Sequence, residues 1–326
     1  MTDDNTLDPW LLSHLACPVD KLPLSLAGEE LACSQGHKYQ VAHGVPVLLA
    51  PDAPATHPAI HQTLDEVAGT RPMQSHSTEP VAEIDPVVQI IVAATSGYLY
   101  RPLLGKLKRY PIPELRLPAG GGKHLLDIGC NWGRWSVAAS QKGYRAIGMD
   151  PDLGAIFAAR RVAKSLSVSP NFVVGDARAL PFSNDAFDVV FSFGVLQHLS
   201  KPDVRQALAE VSRVMTPGGK SLIQMPNAFG VRSLYHLLRR GRTEAKEFDV
   251  RYWTPRELKS TFRKLIGPSE LSVDGFGGLG IQAADRDLLP RSYRMIVDAS
   301  EMLRKVSRKL PFVGTVADSL YIESRR

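Results

Sequence analysis

The chain has 326 residues, room for a full core and one appendage, with 44% hydrophobic and 22% charged residues, as in an ordinary globular protein. No apolar run approaches the roughly 20 residues of a membrane span, the acidic opening Thr2-Asp3-Asp4 does not read as an export signal, and three cysteines make no disulfide framework, so a reducing cytoplasm is expected. The net charge of +6 is concentrated late: residues 232–326 hold 19 Lys+Arg against 12 Asp+Glu, which points either to an acidic partner there or to a merely solvated surface.

In chain order, residues 11–50 are expected to form one compact unit of turns and short strands, closed by the apolar Val45-Pro46-Val47-Leu48-Leu49. Residues 51–84 read as a linker without periodicity, with His57, His61 and His76 at its surface. Asp85-Pro86 opens a helix as N-cap and first-turn proline, running through Val87, Ile90, Ile91 and Ala94 to about Gly97. From residue 123 strands alternate with helices, the strands at 124–128, 145–149, 172–174, 188–192 and 221–224. Between the last two, Val204, Leu208, Val211 and Met215 form a helical stripe behind a Ser200/Asp203 capping box, and Thr216-Pro217-Gly218-Gly219 stops it. Thr254-Pro255-x-Glu257 opens another helix to about Leu265, residues 272–275 and 319–323 look like two more strands, and 291–309 reads as a basic amphipathic helix. Such alternation implies a parallel sheet with helices on both faces, a domain over 85–326 with lid insertions about 228–252 and 277–315.

The most informative stretch is Leu125-Leu126-Asp127-Ile128-Gly129-Cys130-Asn131-Trp132-Gly133, an apolar strand entering a glycine-bearing turn and then a helix. Such a turn lets backbone approach a ligand at the carboxyl end of a sheet. Gly129 and Gly133 stand four apart without the G-x-G-x-x-G of a dinucleotide site. Asp150, ending the next strand, is placed for ribose hydroxyls, and Gly175-Asp176-Ala177 after the third strand puts a carboxylate where an adenine amino group can meet it.

These residues resemble the motifs of class I, Rossmann-like S-adenosylmethionine (SAM)-dependent methyltransferases, in the subgroup labelled type 11. So do Leu180-Pro181-Phe182-x-x-x-x-Phe187-Asp188 and Arg213-Val214-Met215-Thr216-Pro217-Gly218-Gly219, and the resemblance is close over 120–227 and loose beyond. It implies a seven-stranded methyltransferase sheet, with Asp127, Gly129, Cys130, Asn131 and Gly133 around the methionine part of SAM, Asp150 on the ribose, and Asp176 and Ala177 near the adenine. Asn131 stands where the family usually has glycine, and asparagine tolerates positive φ. Phe193, Val195 and Leu196 are expected to line the pocket near the methyl group or to be core. Arg101, beside Tyr98 and Tyr100, is a candidate partner for the methionine carboxylate, or surface packing. Methyl transfer from a sulfonium demands alignment and water exclusion, and a base only where the acceptor must lose a proton. His198, past the fourth strand's end, is the candidate base, or a structural residue beside the next helix.

Near the N-terminus, Cys17-x-x-Asp20 and Cys33-x-x-x-His37 are separated by 12 residues. Sulfur, carboxylate and imidazole are all zinc ligands, although a carboxylate in place of a thiolate favours zinc less. The segment 15–49 resembles the zinc-ribbon-like domain of small tRNA-methyltransferase activators and the zinc domain of bacterial rRNA guanine-N1 methyltransferases, from both of which Asp20 departs. A zinc site or a metal-free remnant of one is the expectation.

The leading functional reading is methyl transfer to a small-molecule or biosynthetic intermediate, free or lipid- or glycan-linked. An RNA base methyltransferase is the alternative, with Tyr235, Phe248, Tyr252 and Trp253 near Arg251 as stacking platforms. The helix 291–309 also suggests peripheral membrane contact. A cofactor-binding regulator without turnover is the non-enzymatic reading.

Overall fold

The computed structural model describes residues 7–50, 58–72, 83–241, 243, 245 and 248–326. His57 and His76 lie outside them, and His61 is exposed. Among these residues no helix is long and apolar enough to cross a membrane.

After a short helix α1 (Pro9–His14), four short strands follow: β1 (Ser25–Ala27), β2 (Glu30–Ala32), β3 (Lys38–Ala42) and β4 (Val45–Leu48). Helices α2 (Pro58–Val67) and α3 (Pro86–Ser96) come next. Then strand and helix alternate: β5 (His124–Ile128), α4 (Arg134–Gln141), β6 (Arg145–Asp150), α5 (Leu153–Ser165), β7 (Asn171–Gly175), β8 (Phe187–Ser192), α6 (Lys201–Val214) and β9 (Met215–Pro226). The chain closes with α7 (Val231–Arg240), α8 (Pro255–Leu265), β10 (Ser269–Gly275), α9 (Arg291–Lys309), α10 (Pro311–Gly314) and β11 (Ser319–Arg325).

The strands form one sheet of 11, in the order β1-β2-β3-β4-β7-β6-β5-β8-β9-β11-β10. From β7 to β9 all neighbours are parallel, and β11 and β10 add antiparallel. Parallel strands covered on both sides must be apolar on both, and β5 obeys: Leu126 and Ile128 join the core under α6 and α8, while Leu125 packs with Trp135 and Ala138 of α4. On the α4 side, Phe172 and Val174 meet Ile156, Phe157 and Val162 of α5 and Val88 and Val92 of α3.

The N-terminal unit is not held apart. Strand β4 pairs in parallel with β7, Val47 opposite Val174 and Leu48 opposite Gly175, so the four small strands extend the larger sheet. The physical reason is edge satisfaction: β4 is buried throughout and cancels the open hydrogen-bonding edge of β7. A second seam lies at the knuckle, where Ala16 N donates to Pro181 O (3.0 Å), Ser183 N to His14 O (2.9 Å) and Lys21 Nζ to Glu210 (2.8 Å).

The stretch expected to be a linker contains α2, against that expectation. Ile60 is buried, and Thr63 Oγ1 donates to Pro151 O (2.9 Å) and accepts from Leu153 N (3.2 Å). Ile60, Leu64 and Val67 recur at a helical spacing that the proline- and histidine-rich surroundings obscure. Helix α3 starts as expected, with Asp85 accepting from Val87 N (2.9 Å). Fully buried Asp85 also takes Arg161 Nε (2.6 Å) and Nη2 (3.3 Å), tying α3 to α5. Asp85→Ala takes the carboxylate from a buried guanidinium and is expected to lower unfolding free energy by about 3–5 kcal/mol, measured by urea melts; a loss confined to the ~1 kcal/mol of an N-cap would refute the pair's importance.

Candidate functional site

A cavity of about 250 Å³ opens at the carboxyl ends of β5, β6, β7 and β8, beside the point where strand order reverses. Gly129 sits at φ +74°, and a Cβ there would meet Val195 at 2.2 Å, so only glycine closes this turn. The turn is pinned to β6 by Gly129 N (2.7 Å) and Cys130 N (3.0 Å), both donating to Met149 O. Asn131 takes φ +47°, the left-handed backbone its residue type tolerates, and its Oδ1 accepts from Trp132 N (2.8 Å). The loop therefore keeps the glycine-like geometry despite the departure at Asn131.

Asp150 accepts from Asn131 N (2.9 Å) through Oδ2 and from Asp152 N (3.0 Å) through Oδ1. Burial raises its carboxyl from an ordinary 3.8 to about 7, against those donors. Burial likewise raises Asp127 to about 7; one oxygen accepts from Ser136 Oγ (2.7 Å), and Oδ1 has no hydrogen-bond partner. Asp176 is clamped by Arg178, Nε at 3.0 Å and Nη2 at 2.5 Å.

Of the residues the sequence put forward, Gly129, Cys130, Asn131, Asp150, Asp176, Ala177, Phe193, Val195 and His198 line the cavity. Asp127 and Gly133 do not: Asp127 braces the start of α4 from behind, and Gly133 lets α4 approach Ala159 of α5, where a Cβ would stand 3.0 Å away. Leu196 is core rather than wall. Arg101 is exposed and away from the cavity, a correction to its expected cofactor role. The wall's cation is instead Arg134, buried at the first turn of α4. It donates to Ser96 Oγ (2.5 Å) and Asp285 Oδ2 (3.0 Å), Tyr100 also reaches Asp285, and its Nε is left unpartnered. Residues following a glycine turn are ordinarily surface, and Asp285 lies 151 positions away, so no local signal marked Arg134. Ile60 of α2 and Phe248 also line the cavity.

His198 sits at the rim, stacked on Phe248 (centroids 4.0 Å) with Nδ1 2.6 Å from Phe248 O. A carbonyl only accepts, so Nδ1 carries the proton and Nε2 accepts from Gln197 Nε2 (3.2 Å). Of the expected stacking platforms, Trp253 is buried, while Tyr235 and Phe248 are exposed.

At the knuckles of the N-terminal unit, Cys17, Asp20, Cys33 and His37 converge, their ligand atoms all within 4.8 Å of one another. His37 Nδ1 lies 2.9 Å from Asp20 Oδ2, 3.5 Å from Cys17 Sγ and 3.4 Å from Cys33 Sγ. Bonds of about 2.0–2.3 Å to a tetrahedral ion put ligands roughly 3.3–3.8 Å apart, so the set fits zinc with little movement. The Leu22 N–H holds the Asp20 carboxyl well below the usual range, keeping it an anionic donor.

The methyltransferase-domain family matches residues 125–219. A demethylmenaquinone methyltransferase of Bacillus licheniformis is 30% identical over 165 residues, which are 47% of this chain and 68% of that protein. This chain belongs to the class I SAM-dependent methyltransferases. The strand order from β7 to β10, in which β11 runs against the other six strands, is the sheet this membership implies. A demethylmenaquinone methyltransferase of Renibacterium salmoninarum is 36% identical over 103 residues, 31% of this chain and 40% of that protein. The chain spans about two fifths of the length of the first curated relatives it matches. Among solved structures, a SAM-dependent methyltransferase of Methanosarcina mazei is 21% identical with a TM-score of 0.46, over 68% of this chain and 99% of that one.

SAM, the cofactor of this methyltransferase family, fits the cavity chemically. Asp150 keeps acceptor capacity beyond its two backbone donors, which suits a vicinal diol. Arg134, the guanidinium-bearing residue of the wall, suits a carboxylate.

Proposed function

We propose that this methyltransferase moves a methyl group from SAM to a small, largely apolar biosynthetic intermediate, free or lipid- or glycan-linked, with His198 as the base. The observation that carries the reading is the rim: His198, its ring fixed by the Phe248 carbonyl, stands beside a wall made by Phe193, Val195, Leu199 and Phe248. Bound in the cavity, SAM supplies a methyl already activated by its sulfonium. Asp150 holds the ribose hydroxyls, Asp176 and Ala177 border the adenine, and Arg134 holds the methionine carboxylate. The aromatic walls exclude water and align the acceptor. His198 takes the acceptor's hydroxyl proton at Nε2, the hydroxyl replacing the Gln197 amide there, while the Phe248 carbonyl keeps Nδ1 protonated and the ring oriented. Relatives named for demethylmenaquinone methylation and ubiquinone biosynthesis support an acceptor of this kind. A zinc ion held by Cys17, Asp20, Cys33 and His37 stiffens the N-terminal unit, and three cysteines outside any disulfide fit work in the cytoplasm.

The test is transfer of labelled methyl from SAM to a panel of hydroxylated aromatic acceptors. His198→Asn is expected to lower kcat by about 10²–10⁴-fold with SAM affinity unchanged. An unchanged kcat removes His198 from the chemistry; no transfer to any acceptor overturns the activity itself.

A further inference from the structure

Helix α7 is amphipathic in the wrong direction for a packed helix. Its buried side is Ser233, while Val231, Leu234, Tyr235 and Leu238 are exposed, between 48% and 73%. These positions run i, i+3, i+4, i+7 and so form one continuous apolar stripe facing out. Exposed Phe229 precedes the stripe, and Val231 N donates to Val316 O (3.3 Å), bringing the exposed Val316 beside it. Scattered apolar residues need no explanation, but a contiguous patch marks an interaction surface.

Three further observations say what covers it. Helix α7 carries Arg232, Arg239 and Arg240 and no carboxylate. It follows β9 directly, so it stands at the same carboxyl end of the sheet as the cavity. Its last turn is tied to the cavity mouth: Arg240 Nη2 donates to Val250 O (2.8 Å), Arg251 N donates to Gln197 O (2.8 Å), and Phe248 lies in the wall. An exposed apolar stripe with the exposed Arg239 at its edge, on a helix without carboxylates, is the pattern of a helix lying in the interface of an anionic bilayer.

We propose that the outward face of α7 docks the enzyme on an anionic lipid bilayer, with the cavity mouth beside the membrane surface. This rests on the proposed methyl transfer and narrows its acceptor to molecules that partition into lipid. The sequence pointed instead to helix α9, but α9 turns Val297 and Ser300 inward, with Ser300 Oγ accepting from Phe276 N (2.9 Å). Helix α7 is short, and its first residues are held by Asp318, which accepts from Arg232 N (2.7 Å) and Ser233 N (3.0 Å). The stripe is thus presented on a fixed helix.

The test is co-sedimentation of the full chain with vesicles of phosphatidylcholine alone and of phosphatidylcholine with phosphatidylglycerol. Partition into the anionic vesicles is expected, at least tenfold weaker for Leu234→Glu/Leu238→Glu and weaker for Arg239→Glu, with a normal melting temperature in all variants. Equal partition of wild type and the double variant overturns the proposal, as does no partition at all. So does a concentration-dependent dimer that the double variant dissolves, which would give the stripe to a second copy. SAM binding, followed by calorimetry in the same samples, reports separately on the methyl-transfer reading: its loss in the wild type would sink that reading and leave the vesicle result interpretable.

Discussion

Asp150→Asn is expected to bind SAM about 100-fold more weakly than the wild-type chain at pH 8, with the gap closing toward pH 5. Hydrogen bonds to a charged acceptor are worth roughly 1.5–3 kcal/mol each, so losing the charge under a diol costs about two powers of ten. The pH dependence follows from the site. Burial holds Asp150 at about 7, so at pH 5 the wild-type side chain is already neutral and resembles the variant. Folding is linked to the same proton. A carboxyl at 3.8 unfolded and about 7 folded binds its proton more tightly in the native state. Stability from this group is therefore present at low pH and lost as pH rises from about 4 to 7. Asp127, raised by burial to the same value, acts in the same direction. Urea melts of cofactor-free protein should show stability falling across that window, and the fall should shrink by on the order of 2–4 kcal/mol in Asp150→Asn. An identical pH slope in variant and wild type would refute the raised carboxyl. Unchanged SAM affinity at pH 8 would remove Asp150 from the cofactor site.

Stripping metal from the Cys17, Asp20, Cys33 and His37 cluster is expected to lower the melting temperature by roughly 5–10 °C, because a tightly held ion adds several kcal/mol to the folded state alone. The effect should spread beyond the N-terminal unit. Leu11, Leu15, Leu31 and Tyr39 share one core with Leu126, Ile147 and Val190 of the catalytic sheet. Strand β4 covers the edge of β7, whose Gly175 ends at Asp176 in the cavity wall. Loosening the knuckles therefore exposes both a sheet edge and that core. Metal content should be close to one zinc per chain, and Asp20→Cys should resist a chelator better than the wild type, since thiolate binds zinc more strongly than carboxylate. A chain that purifies without zinc and melts at the same temperature with and without chelator would refute the site.

Much of the catalytic unit was legible in the sequence because its signals are local. The Asp85-Pro86 start, the Thr254/Glu257 capping box and the bounds of the 291–309 helix came from residues a few positions apart, and each is where capping and periodicity place it. The departure at Asn131 was readable for the same reason: positive φ is a property of one residue. The reading of 51–84 failed because its short apolar stripe, Ile60, Leu64 and Val67, lies among residues that usually mark loops.

The sequence by itself determined the alternation of strand and helix from β5 to β9, the chemistry of the turn after β5, the acids at the ends of β6 and β7, and the four residues of metal-ligand type at the knuckles. Only the tertiary structure decided which side chains share a wall. Arg134 rather than Arg101 faces the cavity because its partners come from Ser96 and Asp285, 38 and 151 residues away. Likewise β4 joins β7 across more than a hundred residues, and α7 turns its apolar stripe outward because Asp318 fixes its first turn. Periodicity records that a face is apolar; what covers that face depends on contacts between segments the chain order keeps apart.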